Sequence, residues 1–380
     1  RAPQVRALPD PMASVTAFLS TPETRVGPQQ ASAMISQRFP WFGTLDLKEK
    51  QALLGAAASR LEVEAKRLQL VTEVRRLAWE LAYLDAEEEA VLEDRETLSH
   101  FEELARARYA SGVGLGQAVV KLQAEITKDD NRILRIDSRR ASLVASLNAL
   151  RDRPAGDPLP TAQLSAAPAI VPPMDPSGLL DVAEMHRPEV RRSRILTEAA
   201  GIGIELAEKQ YRPDFTLGFG YTLVGSRDDP AGRAMPPPDN GDDIIGLTLG
   251  VNLPVRREKL AAGLLEATAR ESAARDRTRG ILAEIERDLG DLSSRLPLTL
   301  DQLALFDDLL ILQAEEALRS AEAAYASGSQ SALDLLDAER VLLEVRIASA
   351  RARADSLILH ARLEGALGAP VEVLLNGDAS

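Results

Sequence analysis

The chain has 380 residues, no cysteine and 4% aromatic residues, and 45 Lys and Arg against 58 Asp and Glu leave a formal net charge of −13. Basic residues interleaved with acids exclude a nucleic-acid binder, which needs clustered Lys and Arg to displace counterions from phosphates. The missing cysteines exclude disulfides and Cys-type zinc sites. No run of about 18 apolar residues offers a transmembrane helix, so membrane insertion would have to come from strands.

Two halves of the chain repeat one order of elements. In the first, 1–154, Pro9-Asp10 precedes a hairpin over about 12–39. Its strands, Ser14 to Leu19 and Ala31 to Phe39, alternate loosely around a loop at Thr21 to Gln29, and Trp41 follows at a place suited to a membrane interface. From about 44 to 109 there is no proline, and Leu61, Leu68, Val71, Val74, Leu77 and Leu81 recur at three- and four-residue steps. That pattern predicts one long helix, on the order of 100 Å at the usual rise per residue. Glu87, Glu88, Glu89, Glu93 and Asp94 are expected on its solvated face. Tyr109-Ala110-Ser111-Gly112 marks a turn, and a helix is predicted over about 113–150.

A stretch rich in Pro, Ala and Ser, 155–178, reads as a linker with little core-forming content. The second half, 179–370, repeats the order: helix about 179–210, hairpin about 214–254, long helix about 256–325 with Pro297 interrupting it, and helix about 330–368, before a tail at 371–380. Only Arg1 to Leu8 stands where the second half has its leading helix. By symmetry roughly 30 residues of helix are therefore expected to be missing ahead of Arg1, through trimming.

In the second hairpin Phe215, Leu217, Phe219 and Tyr221 alternate with Thr and Gly, and Leu247, Leu249 and Val251 do the same. A soluble sandwich would share this alternation. Strands of about 9 to 11 residues joined by a long polar segment, Gly225 to Asp243, favour a lipid-facing hairpin whose mobile loop lies outside the bilayer. Four strands cannot close a barrel, and an open edge cannot face lipid, so the chain is expected to oligomerise, with twelve strands from three copies.

Tyr325-x-x-Gly328 followed by Asp334-x-x-Asp337-Ala338-Glu339 resembles the hairpin tip of the TolC-like outer membrane efflux family. Arg108-Tyr109-x-x-Gly112, Gln123-x-Glu125 and Gln37-Arg38-Phe39-Pro40-Trp41 are similar to first-half segments of that family. The resemblance implies a mainly α fold with membrane β-hairpins: a trimeric α-barrel tunnel plus a shared 12-stranded β-barrel. It further implies a homotrimer in the lipid of the bacterial outer membrane, its helical tunnel extending into the periplasm. Such a duct passively conducts substrates from a periplasmic adaptor and an inner-membrane pump, such as an RND or ABC transporter, in tripartite efflux or type I secretion. It also makes Asp334, Asp337 and Lys121 the candidates for the periplasmic gate, Lys121 standing in the first half where the second has Asp337, and Ala118 where it has Asp334. Gly112, Val113, Gly114, Leu115, Gly328 and Ser329 become the adaptor-docking tips. No enzyme, cofactor or metal is expected, since His100, His186 and His360 stand apart with no paired spacing. The alternative from another class is a soluble or peripheral coiled-coil scaffold with no channel activity.

Overall fold

The computed structural model describes residues 1–160, 163–164 and 175–371. In chain order it contains α1 (Ala2–Arg6), β1 (Met12–Ala17), β2 (Glu23–Thr24), β3 (Gly27–Phe39), α2 (Thr44–Ala110), α3 (Gly116–Leu150), α4 (Pro176–His186) and α5 (Pro188–Lys209). There follow β4 (Phe215–Val224), α6 (Pro230–Ala234), β5 (Ile244–Val251), α7 (Arg257–Leu305), a π-helical turn (Phe306–Leu310), α8 (Ile311–Ser327) and α9 (Ala332–Leu367). Half of the 155–178 linker, and the tail beyond Val371, lie outside the described residues. The chain divides into two compact units, Arg1–Glu62 with Val190–Gly280, and Val63–Glu189 with Ile281–Ser380.

The first unit is built on an antiparallel sheet of order β1-β3-β4-β5, with β2 paired beside the start of β3. The β3–β4 pairing joins the two hairpins and sets Ile35 opposite Phe219, Gln37 opposite Leu217 and Phe39 opposite Phe215. Across β4, Leu247 faces Phe219, Leu249 faces Leu217 and Val251 faces Phe215. Ala13 and Val15 of β1 pair with Ile35 and Ala33. Because successive side chains leave a strand on opposite faces, directly paired residues share one. Val15, Ile35, Phe219 and Leu247 thus lie on a common apolar face, and Ser14, Ser36, Gly218 and Thr248 on a small, polar one. The apolar face is uncovered: Leu247 is 76% exposed, Leu249 70% and Phe219 50%.

The expected loop at Thr21 to Gln29 is partly strand, since β2 folds back onto Gly27 and Pro28. Gly27 has φ +129°, and a Cβ there would lie 1.8 Å from the Gly225 carbonyl oxygen, so only glycine lets the two hairpin ends approach this closely. The connection from Gly225 to Asp243 is tied down where a mobile segment was expected. Gly225 N donates to Pro28 O at 2.8 Å, Gly241 N to Val26 O at 2.7 Å, and Asp229 caps α6 by accepting from Gly232 N. Its peptide groups find partners in the opposite hairpin turn, which the local sequence cannot show.

At the base of the sheet Asp214 is a joint. It accepts from the Arg38 guanidinium at 2.6 Å and from Trp41 N at 2.9 Å, and its own N–H donates to Asn252 Oδ1 at 2.6 Å. Asp214 thereby ties the end of β3 to the start of β4 through its carboxylate, and the end of β5 through its backbone N–H. Trp41 stacks on Phe215 at 5.9 Å and meets Phe42 edge-on at 5.7 Å.

In the second unit the helices pack in layers. Leu77 and Leu81 meet Leu147; Tyr83, Leu84 and Val91 meet Ile136 and Leu343; Leu98, Phe101 and Ala105 meet Leu122, Tyr325 and Leu335. The three- and four-residue steps along α2 are those of a coiled-coil seam.

Three helix boundaries differ from the sequence reading. The helix expected over 179–210 is two, because Arg187 is extended (φ −69°, ψ 119°) ahead of Pro188, whose ring excludes a preceding helical residue. Pro297 does not interrupt its helix. It lies on an exposed face of α7, and the helix runs on through it to Leu305, giving up the one hydrogen bond that its missing N–H would have made. The irregularity falls instead at the π-helical turn, where Asp307 accepts from Ser349 Oγ at 2.7 Å and from Arg353 at 2.6 Å. The helix expected from 113 begins at Gly116, since Val113 N and Gly114 N first close the end of α2 on Arg108 O.

Candidate functional site at the helical tips

The α2–α3 and α8–α9 turns both belong to the second unit. Each reverses through a left-handed glycine, Gly112 at φ +79° and Gly328 at φ +80°. Val113 and Leu115 present uncovered apolar side chains, 79% and 74% exposed, and Ser329 turns back to donate to Ala324 O. Gly114 is tightly held, as a Cβ there would meet Tyr109 N at 2.9 Å.

The two turns are fastened by Arg108, to which the sequence assigned no role beyond a motif position. Its Nη1 donates to Tyr325 O at 2.7 Å, its Nη2 to Ala326 O at 3.4 Å, and its guanidinium lies 4.4 Å from the centre of the Tyr325 ring. A cation on the last carbonyls of α8 adds a second donor to Tyr325 O, which also accepts from Gly328 N at 3.0 Å, and opposes the negative end of the helix dipole. The ring contact adds a cation–π attraction.

The three gate candidates separate. Asp334 belongs to a capping box: its carboxylate accepts from Ser331 N at 2.9 Å and Ser331 Oγ at 2.8 Å, while Ser331 Oγ accepts from Leu333 N and Asp334 N. Hydrogen bonds from the Ser331 backbone and then its hydroxyl hold its carboxyl below the usual range, so it stays charged, with those bonds directed at the helix end. Asp337 and Lys121 are both exposed and line one shallow recess with Glu125 and Arg340, which pair with each other at 2.9 Å. Asp337 and Lys121 make no ion pair among the described residues.

Farther along the helices, Glu87 and Asp94 correct the solvated-face expectation, being 5% and 6% exposed. Leu84, Glu87, Val91, Asp94 and Leu98 advance by three and four, so these two acids fall on the packed seam. Glu87 accepts from Arg132 at 3.0 Å and pairs with Arg139. Asp94 meets carboxyls of α3 and α9 instead.

A family profile described as outer membrane efflux protein matches residues 179–369, the second repeat. The chain belongs to this family. TolC of Vibrio cholerae is 23% identical over 195 residues, which are 50% of this chain and 43% of that protein, so the chain matches less than half the length of that relative. The structure superposes on the outer membrane protein VceC of Vibrio cholerae with TM-score 0.77 and 23% identity, covering 97% of this chain and 89% of that one. The open-state outer membrane channel MtrE of Neisseria gonorrhoeae gives TM-score 0.74 and 19% identity over 97% of this chain and 82% of that one. These likenesses extend the shared fold to the first repeat, beyond the reach of the profile. The family is one of outer membrane channels rather than enzymes, and this efflux family member is an outer membrane protein with them.

Proposed function

We propose that three copies of the chain form the exit duct of a tripartite efflux or type I secretion system, conducting substrates passively from a periplasmic adaptor and an inner-membrane pump of RND or ABC type to the exterior. The observation that carries this is the sheet. One face is apolar and uncovered, and β1 and β5 end it with edges that have no partner among the described residues. In lipid an unpaired strand edge leaves peptide groups unsatisfied, so the sheet needs neighbours, and three sheets of four long strands make a closed barrel of twelve. The family membership supports the same reading.

Val113 and Leu115, carried on the glycine turn between the paired helices, supply an exposed apolar end for an adaptor to grip. Of the gate candidates, Asp337 with Lys121 is free to face an aperture, and Asp334 supports it by holding the start of α9.

The test is extraction of the chain from native outer membranes in detergent, followed by mass measurement and single-channel recording. A trimer with a steady conductance supports the duct. Quantitative recovery of a soluble, non-conducting protein would reject it in favour of a scaffold.

A further inference from the structure

Between the apolar layer of Val91, Ile136 and Leu343 and that of Leu98, Leu122 and Leu335 lie three acids from three helices: Asp94 of α2, Asp129 of α3 and Glu339 of α9. They are 6%, 7% and 5% exposed. The Asp94 carboxyl lies within hydrogen-bonding reach of the Asp129 and Glu339 carboxyls. No N–H or O–H donor reaches Asp94 Oδ1, Asp129 Oδ2 or Glu339 Oε2, all fully buried. Glu339, from a separate helix, brings beside Asp94 a carboxyl whose Oε2 has no donor. Two carboxyls hydrogen-bond each other only when one holds a proton.

The surrounding charges relieve the cluster only in part: Arg132 and Arg346 lower Asp129 and Glu339, and burial outweighs both. Glu125 and Arg132 face it from α3, Arg346 from α9, Glu93 from α2 and Glu322 from α8. Arg132 is engaged by Glu87, and Arg346 by Glu93 at 2.6 Å and Glu315 at 3.4 Å. Glu125 already serves Arg340 and Lys128. The nearby cations are spent on other acids. Among the described residues, no group of three or more acidic or His side chains is arranged to hold a metal ion. A proton held between two of the carboxyls supplies the donor that these oxygens lack.

We propose that Asp94, Asp129 and Glu339 form a proton-held clamp joining α2, α3 and α9 behind the tips, tight while the three carboxyls share protons and loosened as the protons leave. The clamp rests on helix packing within the second unit and stands whether or not the chain conducts. Burial pushes the Asp94 and Asp129 carboxyls up to about 7 from an ordinary 3.8, and raises Glu339 also. The folded chain then binds more protons than the unfolded one between those limits. The contribution of the layer is fully present below about 4, is lost as pH rises toward about 7, and stays lost above it.

A layer that merely set helix register would keep its packing when made uncharged, and its pH response would come from elsewhere. The full-length protein in detergent is therefore compared with Asp94→Asn, Asp129→Asn and Glu339→Gln by infrared titration of protonated carboxyls. Spin labels on cysteines at Leu104 and Val341, exposed positions of α2 and α9 in a chain with no cysteine, report the separation of the helices. From about pH 5 to about pH 9 the wild type should lose a carboxyl band with a midpoint near 7 and its label separation should broaden; Asp94→Asn should show neither change. A wild type with no protonated carboxyl left at about pH 6, or variants that keep the wild-type band and broadening, would overturn the clamp. The wild-type titration decides even where a variant fails to fold.

Discussion

Three side chains at the tips divide the work that a motif reading gave to one acidic pair. Ser331 and Asp334 hold the start of α9 by reciprocal hydrogen bonds, so Ser331→Ala should cost about 1 kcal/mol of stability by thermal melting. Asp334→Ala should destabilise in the same direction. Asp337→Ala touches no cap and should leave melting unchanged while raising single-channel conductance; equal effects of both aspartates on conductance and none on melting would restore the motif reading. Arg108→Lys keeps the charge but loses the planar fork that reaches two carbonyls and lies over Tyr325. It should speed hydrogen exchange at both turns, as Arg108→Ala does more strongly. The turn glycines and Tyr-x-x-Gly were legible in the sequence because a left-handed turn has a residue signature. The role of Arg108 was not, since its partners lie more than 200 positions away.

The sheet and the helices carry their information at different ranges. In β4 and β5 the alternation of large apolar residues with Gly and Thr marks the two faces without help. In β1 and β3 it is blurred by Ala and Ser, and the faces are settled by pairing Ile35 with Phe219 and Ala33 with Tyr221. Leu247→Arg on the apolar face should therefore block assembly in the outer membrane, a cost of about 2–4 kcal/mol at mid-bilayer depth. Thr248→Arg on the other face should assemble; comparable trimer yields from both would remove the lipid-facing assignment. Gly27→Ala strains a left-handed residue and drives a Cβ into Gly225, so protease cleavage within Gly225 to Asp243 should accelerate.

At the scale of the whole molecule, the open edges of β1 and β5 make assembly a requirement of the proposed duct. A panel of double-cysteine variants, one site in Met12–Ala17 and one in Ile244–Val251, should give disulfide-linked trimers on non-reducing gels, with the native chain contributing no background thiol. Linked dimers that never extend to trimers would reject threefold closure. In the helical unit the buried acids make the packing pH-dependent, so the wild type should melt at a lower temperature as pH rises toward about 7, and Asp94→Asn should flatten that dependence.

The sequence by itself determined the repeated order of hairpin, long helix, glycine turn and helix, because periodicity and turn chemistry are local signals that each repeat states again. It also carried the family, through the tip motif around Tyr325 and Asp337. Tertiary structure decided what depends on which distant residues meet. Register gave the first hairpin its apolar face, and the seam buried Glu87 and Asp94 where a run of acids suggested solvent. The Ser331 cap claimed Asp334, and Glu339 came from the far end of the chain to lie with the buried carboxyls of α2 and α3.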